Sequence, residues 1–181
     1  MPMRIISLVP SITETLLSCN LEIVGRSRFC IHPQSKVEKI SKIGGTKDVD
    51  WSKTTSLKPD LVILDKEENT KEIADSCPYE YFALHITHIN EVAPELMRLA
   101  NYLKNNKLKQ IAQRWTLINQ QPPISRNLSE LPGVIEWWKK PESQINFEYI
   151  IWKEPWMAIG NNTFIQSMLD YCGLKSFRSQ H

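Results

Sequence analysis

A run of β-branched and apolar residues, Arg4-Ile5-Ile6-Ser7-Leu8-Val9, meets Pro10-Ser11 and gives way at once to a helical pattern, Ile12-Thr13-Glu14-Thr15-Leu16-Leu17. Few folds accept such a junction. An apolar strand with no polar alternation is buried on both faces, which is the habit of parallel strands in α/β proteins. A helix starting directly after it presents its first N–H groups at the strand's carboxyl end, where open α/β sheets build ligand sites. Ser11 or Thr13 is placed to cap that helix, with Glu14 in its first turn near the positive end of the dipole. The pattern therefore predicts a strand over 4–9 and a helix over 12–19.

The same alternation continues. Leu21–Arg26 reads as a second strand, closed by Gly25, and His32-Pro33 opens a loop. Lys39–Ile43 leads into Gly44-Gly45, and Asp50 is placed to cap a short helix from Trp51 to Ser56. Leu61-Val62-Ile63-Leu64 is a continuous apolar run, again suited to a strand buried on both faces. A helix around 69–76 and a strand over Tyr81–His85 follow. Asn90 then stands as N-cap of one long helix over 91–118, with Val92, Leu96, Leu99, Leu103 and Ile111 along its apolar stripe. Gln120 to Pro141 is proline-rich and irregular. Beyond it come a strand over Glu148–Trp152 and a helix from an Asn162 cap to Tyr171, ended by Gly173. Strands alternating with helices imply a parallel, right-handed, Rossmann-like α/β lobe. The expected organisation is that lobe at 1–90, a backbone helix at 91–118, an irregular linker at 119–144 and an incomplete second α/β lobe at 145–181.

Bulk properties narrow the function. With 41% apolar residues, 23% charged residues and a net charge of +2, the chain suits a globular core and carries no field that points to nucleic acid or a membrane surface. Lys104, Lys107 and Lys109 read as a solvated helix end. No segment approaches the ~18 apolar residues that span a bilayer. Residues 1–20 lack the ordered regions of a signal peptide, so a cytoplasmic protein with no membrane insertion is expected. The four cysteines, Cys19, Cys30, Cys77 and Cys172, are widely spaced and read as free thiols.

Candidate chemistry is sparse. Gly44-Gly45-Thr46-Lys47 lacks the preceding strand and spacing of a phosphate loop. It reads as a tight turn that approaches either a ligand or a neighbouring strand closely. His85, His88 and His32 have no cysteine or carboxylate at metal-ligand spacing, so no metal site is expected. Cys30 and His32 are too weakly arranged for a nucleophile and base, and no catalytic residue is assigned. Lys66-Glu67-Glu68-Asn69 directly follows a buried strand, where either a solvated loop or the rim of a binding crevice belongs. Trp152, Pro155, Trp156 and Met157 follow the late strand, able to stack on a flat ligand or to fill an interface between lobes.

Taken in order, six segments carry a resemblance: Arg4–Glu14, Val24–Pro33, Ile43–Lys47, Leu57–Ile63, Lys66–Asn69 and Trp152–Ala158. Together they resemble bacterial substrate-binding proteins of the helical-backbone type, which bind cobalamin, siderophores or metals. The likeness is strongest to the signal-less, cobalamin-binding-like branch. It implies two α/β lobes joined by one long helix, a ligand held in the cleft between them, no catalytic groups, and delivery to an ABC transporter. By the match of motifs the cleft residues are Pro10, Ser11, Arg28, Phe29, Gly45, Thr46, Glu67, Glu68 and Trp156. The implied ligand is cobalamin or another corrinoid, an iron–siderophore or haem. Thr46 and Ser52 stand where secreted cobalamin binders have an aromatic and a transporter-docking carboxylate. Relatives continue beyond the position of His181, so a C-terminally shortened second lobe is expected. The alternatives are an interaction module completed by a partner or a second copy, and a cytoplasmic enzyme using the same crevice.

Overall fold

The computed structural model describes residues 2–121 and 148–174. The chain divides into two compact units, Met1–Ile86 with Glu91–Thr116, and Thr87–Asn90 with Leu117–His181.

The first unit is built on five parallel strands: β1 (Arg4–Ser7), β2 (Glu22–Arg26), β3 (Ser41–Lys42), β4 (Leu61–Asp65) and β5 (Tyr81–Leu84), in the order β3-β2-β1-β4-β5. The chain builds outward from β1 to β3, then returns to the other side of β1 to lay down β4 and β5. β1 and β4 are therefore neighbours across a topological switch point. The apolar runs explain the order. Every residue of β4 is buried, and Ile5, Ile6 and Ser7 of β1 are buried too, as central strands with two covered faces require. Ile6, Leu8, Ile43, Val62, Leu64 and Ile73 form the core on one face. Ile5, Leu61 and Ile63 alternate to the opposite face and are fully buried there.

The helices between the strands of this unit are α1 (Pro10–Ser18), the short α2 (Gln34–Val37) and α3 (Lys71–Asp75), with a 3-10 helix at Trp51–Leu57. Asp50 caps that 3-10 helix as expected, its carboxylate accepting the Ser52 N–H at 3.1 Å. The expected cap of α1 is corrected. The helix begins at Pro10, the N-cap is Val9, and no side chain caps it. Proline fits the first helical position because its fixed φ is helical and its missing N–H would have no partner there. Glu14 consequently lies beyond the first turn. Thr13 is buried, with its hydroxyl 2.9 Å from the Val9 carbonyl.

The single helix expected over 91–118 is also corrected, to α4 (Ile89–Tyr102) and α5 (Asn106–Asn119). The break is specific. Lys104 adopts φ 50, and the Asn105 N–H reaches back to the Ala100 carbonyl at 3.0 Å while the Lys104 N–H reaches Asn101 at 3.3 Å. Those two bonds are a Schellman closure. Asn105 then caps α5, accepting the Leu108 N–H at 2.8 Å. Asn90 lies inside α4, not at its cap. His88, just before the helix, accepts the Asn90 N–H on Nδ1 at 3.2 Å.

In the second unit the late strand is β6 (Ile150–Trp152), and it pairs antiparallel with β7 (Met157–Ala158), so a hairpin replaces the lone strand expected from sequence. Helix α6 (Phe164–Tyr171) is capped by Thr163, which accepts the Gln166 N–H at 3.2 Å, and not by Asn162, which takes φ 60. Gly173 closes it with φ 76, as expected. The linker foreseen at 119–144 lies, from residue 122 onward, outside the described residues.

Candidate functional site

In a parallel sheet every strand-to-helix loop leaves from the same edge. Eight of the nine expected site residues lie directly beyond the strands at that edge: Pro10 and Ser11 in the first turn of α1 after β1, and Arg28 and Phe29 after β2, Gly45 and Thr46 after β3, Glu67 and Glu68 after β4 in loops. The start of α1 lies at the switch point between β1 and β4. Its first intrahelical bond runs from the Thr13 N–H to the Val9 carbonyl at 2.8 Å, so the N–H groups of Ser11 and Ile12 precede it. The ninth residue, Trp156, belongs to the second unit, where it is 70% exposed beside β7.

Two of these loops are fastened to each other by the glycine turn. Gly44 has φ 145, and a Cβ there would stand 2.1 Å from the Asp48 carbonyl oxygen. The turn is closed by the Gly45 N–H to the Asp48 carbonyl at 2.8 Å, and the Arg28 N–H donates to the Gly44 carbonyl at 2.7 Å. The Arg28 guanidinium crosses the turn and meets Asp48 with both terminal nitrogens, Nη1 to Oδ2 at 2.7 Å and Nη2 to Oδ1 at 3.0 Å. Gly45 makes this possible, because a Cβ there would lie 2.2 Å from Asp48 Oδ1 and 2.9 Å from Arg28 Cζ. The hydrogen bond from Arg28 holds the Asp48 carboxyl below the usual carboxylate range, and Asp48 in turn raises Arg28. Arg28 Cζ also sits 5.0 Å from the centroid of the Phe29 ring, which is 50% exposed.

On the other side of the switch point, buried Asn69 ties the loop after β4 to the same turn. Its Nδ2 donates to the Thr46 carbonyl at 2.8 Å, and its Oδ1 accepts the Asp65 N–H at 3.0 Å. Asp65 accepts the Glu67 N–H at 2.8 Å, which shapes the turn carrying Glu67 and Glu68. Burial pushes the Asp65 carboxyl up, against the backbone N–H groups of Glu67, Glu68 and Ile86 that favour its charge. Glu68 is raised as well, by desolvation first and by the Asp65 charge second, with Lys47 opposing. Glu67 Oε1 lies 3.5 Å from His85 Nδ1 in the loop after β5.

Beneath the edge is a small buried polar cluster. Thr13 Oγ1 lies 2.8 Å from Ser7 Oγ and 3.1 Å from Cys30 Sγ, and Ser27 Oγ lies 3.2 Å from the same sulfur. Cys30 is fully buried while His32 is exposed, so the thiol is a packing element under the loops. Cys19, Cys30, Cys77 and Cys172 are free thiols, and no cluster suited to holding a metal occurs among the described residues. No helix among them is long and apolar enough to cross a membrane.

The expected site residues did not include Asp48, nor Asn69 by itself, although Asn69 closes the Lys66–Asn69 segment read as a solvated loop or a crevice rim. Both belong to or adjoin the matched turns, but only the turn geometry shows which groups they meet.

No protein-family profile matches the chain. Solved structures do. The periplasmic vitamin B12 binding protein BtuF of Vibrio cholerae superposes with a TM-score of 0.69 at 19% identity, over 96% of this chain and 65% of that one. An ABC transporter substrate-binding protein from Listeria monocytogenes gives a TM-score of 0.70 at 16% identity, over 97% and 65%. IsdE of S. aureus, solved with haem, gives 0.71 at 13% identity, over 97% and 65%. The chain thus spans about 65% of the length of each of these three proteins. Likeness of this kind, with few identical residues, carries the architecture: the chain has the fold of the periplasmic substrate-binding proteins.

Proposed function

We propose that the chain is a small-molecule-binding protein, comparable to the substrate-binding component of an ABC transporter, and that it holds its ligand against the carboxyl edge of the β1–β4 sheet, in a cleft between its lobes. The observation that carries this reading is the convergence of four loops on the β1–β4 switch point, braced by Arg28–Asp48 and Asn69–Thr46. Open α/β sheets bind ligands at that place. Structures with this fold include one named for vitamin B12 and one solved with haem, which makes a corrinoid, haem or an iron–siderophore the ligands to try. Pro10, Ser11, Arg28, Phe29, Gly45, Thr46, Glu67 and Glu68 are the proposed wall, and Trp156 the proposed contribution of the second lobe. The role is binding without catalysis.

Thermal unfolding with cyanocobalamin, haemin, a ferric siderophore and divalent metals tests this. A ligand at 100 times its Kd adds about 2.7 kcal/mol, a rise of roughly 5–10 °C for a chain of this size. A well-folded sample that shifts with none of them refutes the reading.

A second reading rests on the hairpin. Trp152 is 63% exposed, and Tyr149, Ile150, Ile151 and Met157 are exposed beside it. Apolar surface gathered in this way marks an interaction site, so this unit would be completed by a partner or a second copy. Sedimentation showing a compact monomer at all concentrations, with no change on Trp152→Ser, would remove the second-copy version.

A further inference from the structure

We propose that Glu95 and Arg98 of α4 guard the open side of β5, and that with the guard removed β5 pairs with β5 of a second copy of this chain. The inference is independent of the ligand reading. The two outermost strands of the sheet, β3 and β5, each have one side without a neighbouring strand. Such a side presents unpaired backbone groups to other chains, and proteins blunt it by shortness, lysine, proline or cover. β3 is blunted by its own sequence, being two exposed residues, Ser41–Lys42, one of them a lysine. β5 has no such device of its own. Tyr81-Phe82-Ala83-Leu84 carries no charge and no proline.

α4 supplies what the strand lacks. The Glu80 and Leu84 carbonyls accept from the Val62 and Lys66 N–H groups at 2.9 and 3.0 Å, so Tyr81, Ala83 and His85 turn their backbone groups outward. Arg98 Nη2 donates to the Ala83 carbonyl at 2.6 Å, and Glu95 Oε2 accepts the His85 N–H at 3.1 Å. A donor and an acceptor thus stand where a further strand would place its own N–H and carbonyl. The two side chains, three residues apart on one helix face, hold each other through Nη2 to Oε2 at 2.7 Å and Nε to Oε1 at 3.2 Å. Arg98 Cζ lies 4.0 Å from the centroid of the Phe82 ring, and Tyr102, one turn on, packs on the same ring and donates to Glu80. The guard does not draw its strength from the ion pair, whose arginine is half open to water. Its strength is its tether: groups fixed to the same fold act at an effective concentration of about millimolar or more, well above that of a second copy at roughly micromolar.

A second copy is the occupant this strand fits. The outward positions 81, 83 and 85 are symmetric about Ala83. Antiparallel pairing therefore sets Ala83 opposite its own copy and Tyr81 opposite His85, the self-complementary arrangement of a two-fold contact. The small alanine adds no bulk at the axis, and no like charges in the strand meet.

Sedimentation velocity over a wide concentration range tests this on the full chain, with folding checked by circular dichroism. It compares wild type, Glu95→Ala/Arg98→Ala, and the same double variant carrying Tyr81→Pro. The double variant is expected to self-associate at least about tenfold more tightly than wild type. Tyr81→Pro removes one outward N–H at the first residue of an edge strand, where proline is tolerated, and is expected to abolish that gain. Association through the exposed hairpin of the second unit would be indifferent to all three changes. Arg98→Ala alone frees the Ala83 carbonyl and leaves Glu95 on His85, and the same comparison is made on it if the double variant unfolds. A folded variant that associates no more than wild type, or a gain that survives Tyr81→Pro, overturns the inference and leaves the ligand reading untouched.

Discussion

Adjacent glycines in one turn are expected to respond to the same substitution in opposite ways. Gly44→Ala places a methyl 2.1 Å from the Asp48 carbonyl oxygen and 2.9 Å from Val49 Cα, with φ held at 145. Both obstacles are backbone, so the turn must open. Opening it loses the Gly45 to Asp48 hydrogen bond at 2.8 Å and the Gly44–Val49 bridge. Backbone strain of about 1–3 kcal/mol, or its release at the expense of one or two hydrogen bonds of about 1 kcal/mol each, puts the loss at roughly 2–4 kcal/mol. For a chain of this size that is a fall in Tm of about 5–15 °C. At Gly45 the methyl meets Asp48 Oδ1 at 2.2 Å and Arg28 Cζ at 2.9 Å, the free ends of two exposed side chains. Those ends swing away, and an ion pair this open to water contributes little, so Tm moves by only a few degrees.

What Gly45→Ala does change is the acid titration. Asp48 is held low by Arg28, so its share of stability is complete above the unfolded carboxylate value of about 4 and drains away as pH falls through the lower native value. In Gly45→Ala the pair is parted and that acid-side loss shrinks, with the Asp48 carboxyl titrating closer to an ordinary aspartate by carbon-detected NMR. Gly160→Ala is the control, since nothing stands within 4 Å of where its methyl would lie and its φ is not positive. It should be neutral or stabilising by up to about 1 kcal/mol. If Gly44→Ala melts no lower than Gly45→Ala, the reasoning from backbone against side-chain obstruction is wrong.

Glu68 is raised by desolvation and by Asp65, so ionising it weighs on the folded state, and stability from this group decreases as pH rises through its native value. Glu68→Gln should therefore be slightly stabilising near pH 7, by under about 0.5 kcal/mol for so exposed a residue, with the gain vanishing in melts below pH 4. Lys104→Gly relieves φ 50 in the closure of α4 and should stabilise by about 0.5–1 kcal/mol, whereas Asn105→Ala removes the cap of α5 and should cost about 1 kcal/mol in denaturant unfolding. Asn69→Ala strands the buried Asp65 N–H and frees Thr46, an expected loss of about 2–3 kcal/mol by the same measurement.

The pattern of these effects follows what sequence can and cannot encode locally. Strands β1 and β4 are legible because two-sided burial leaves a run of apolar residues with no polar alternation, and no other short element needs that. The gathering of Pro10, Arg28, Gly45 and Glu67 at one edge is legible for a topological reason: once the strands are parallel, all loops after them share an end. The α4–α5 break is not legible, because the apolar stripe continues across it and the left-handed residue is a lysine, which carries no turn signal. The start of α1 is misplaced from sequence because a proline at the first helical position does without the hydroxyl cap that Ser11 or Thr13 would supply. The glycine pair announces a close approach, but what approaches is decided by φ 145 at Gly44, which aims the turn so that Asp48 faces a side chain twenty residues earlier. Motifs therefore locate the edge, while the charge it presents depends on a pairing that only the folded turn creates.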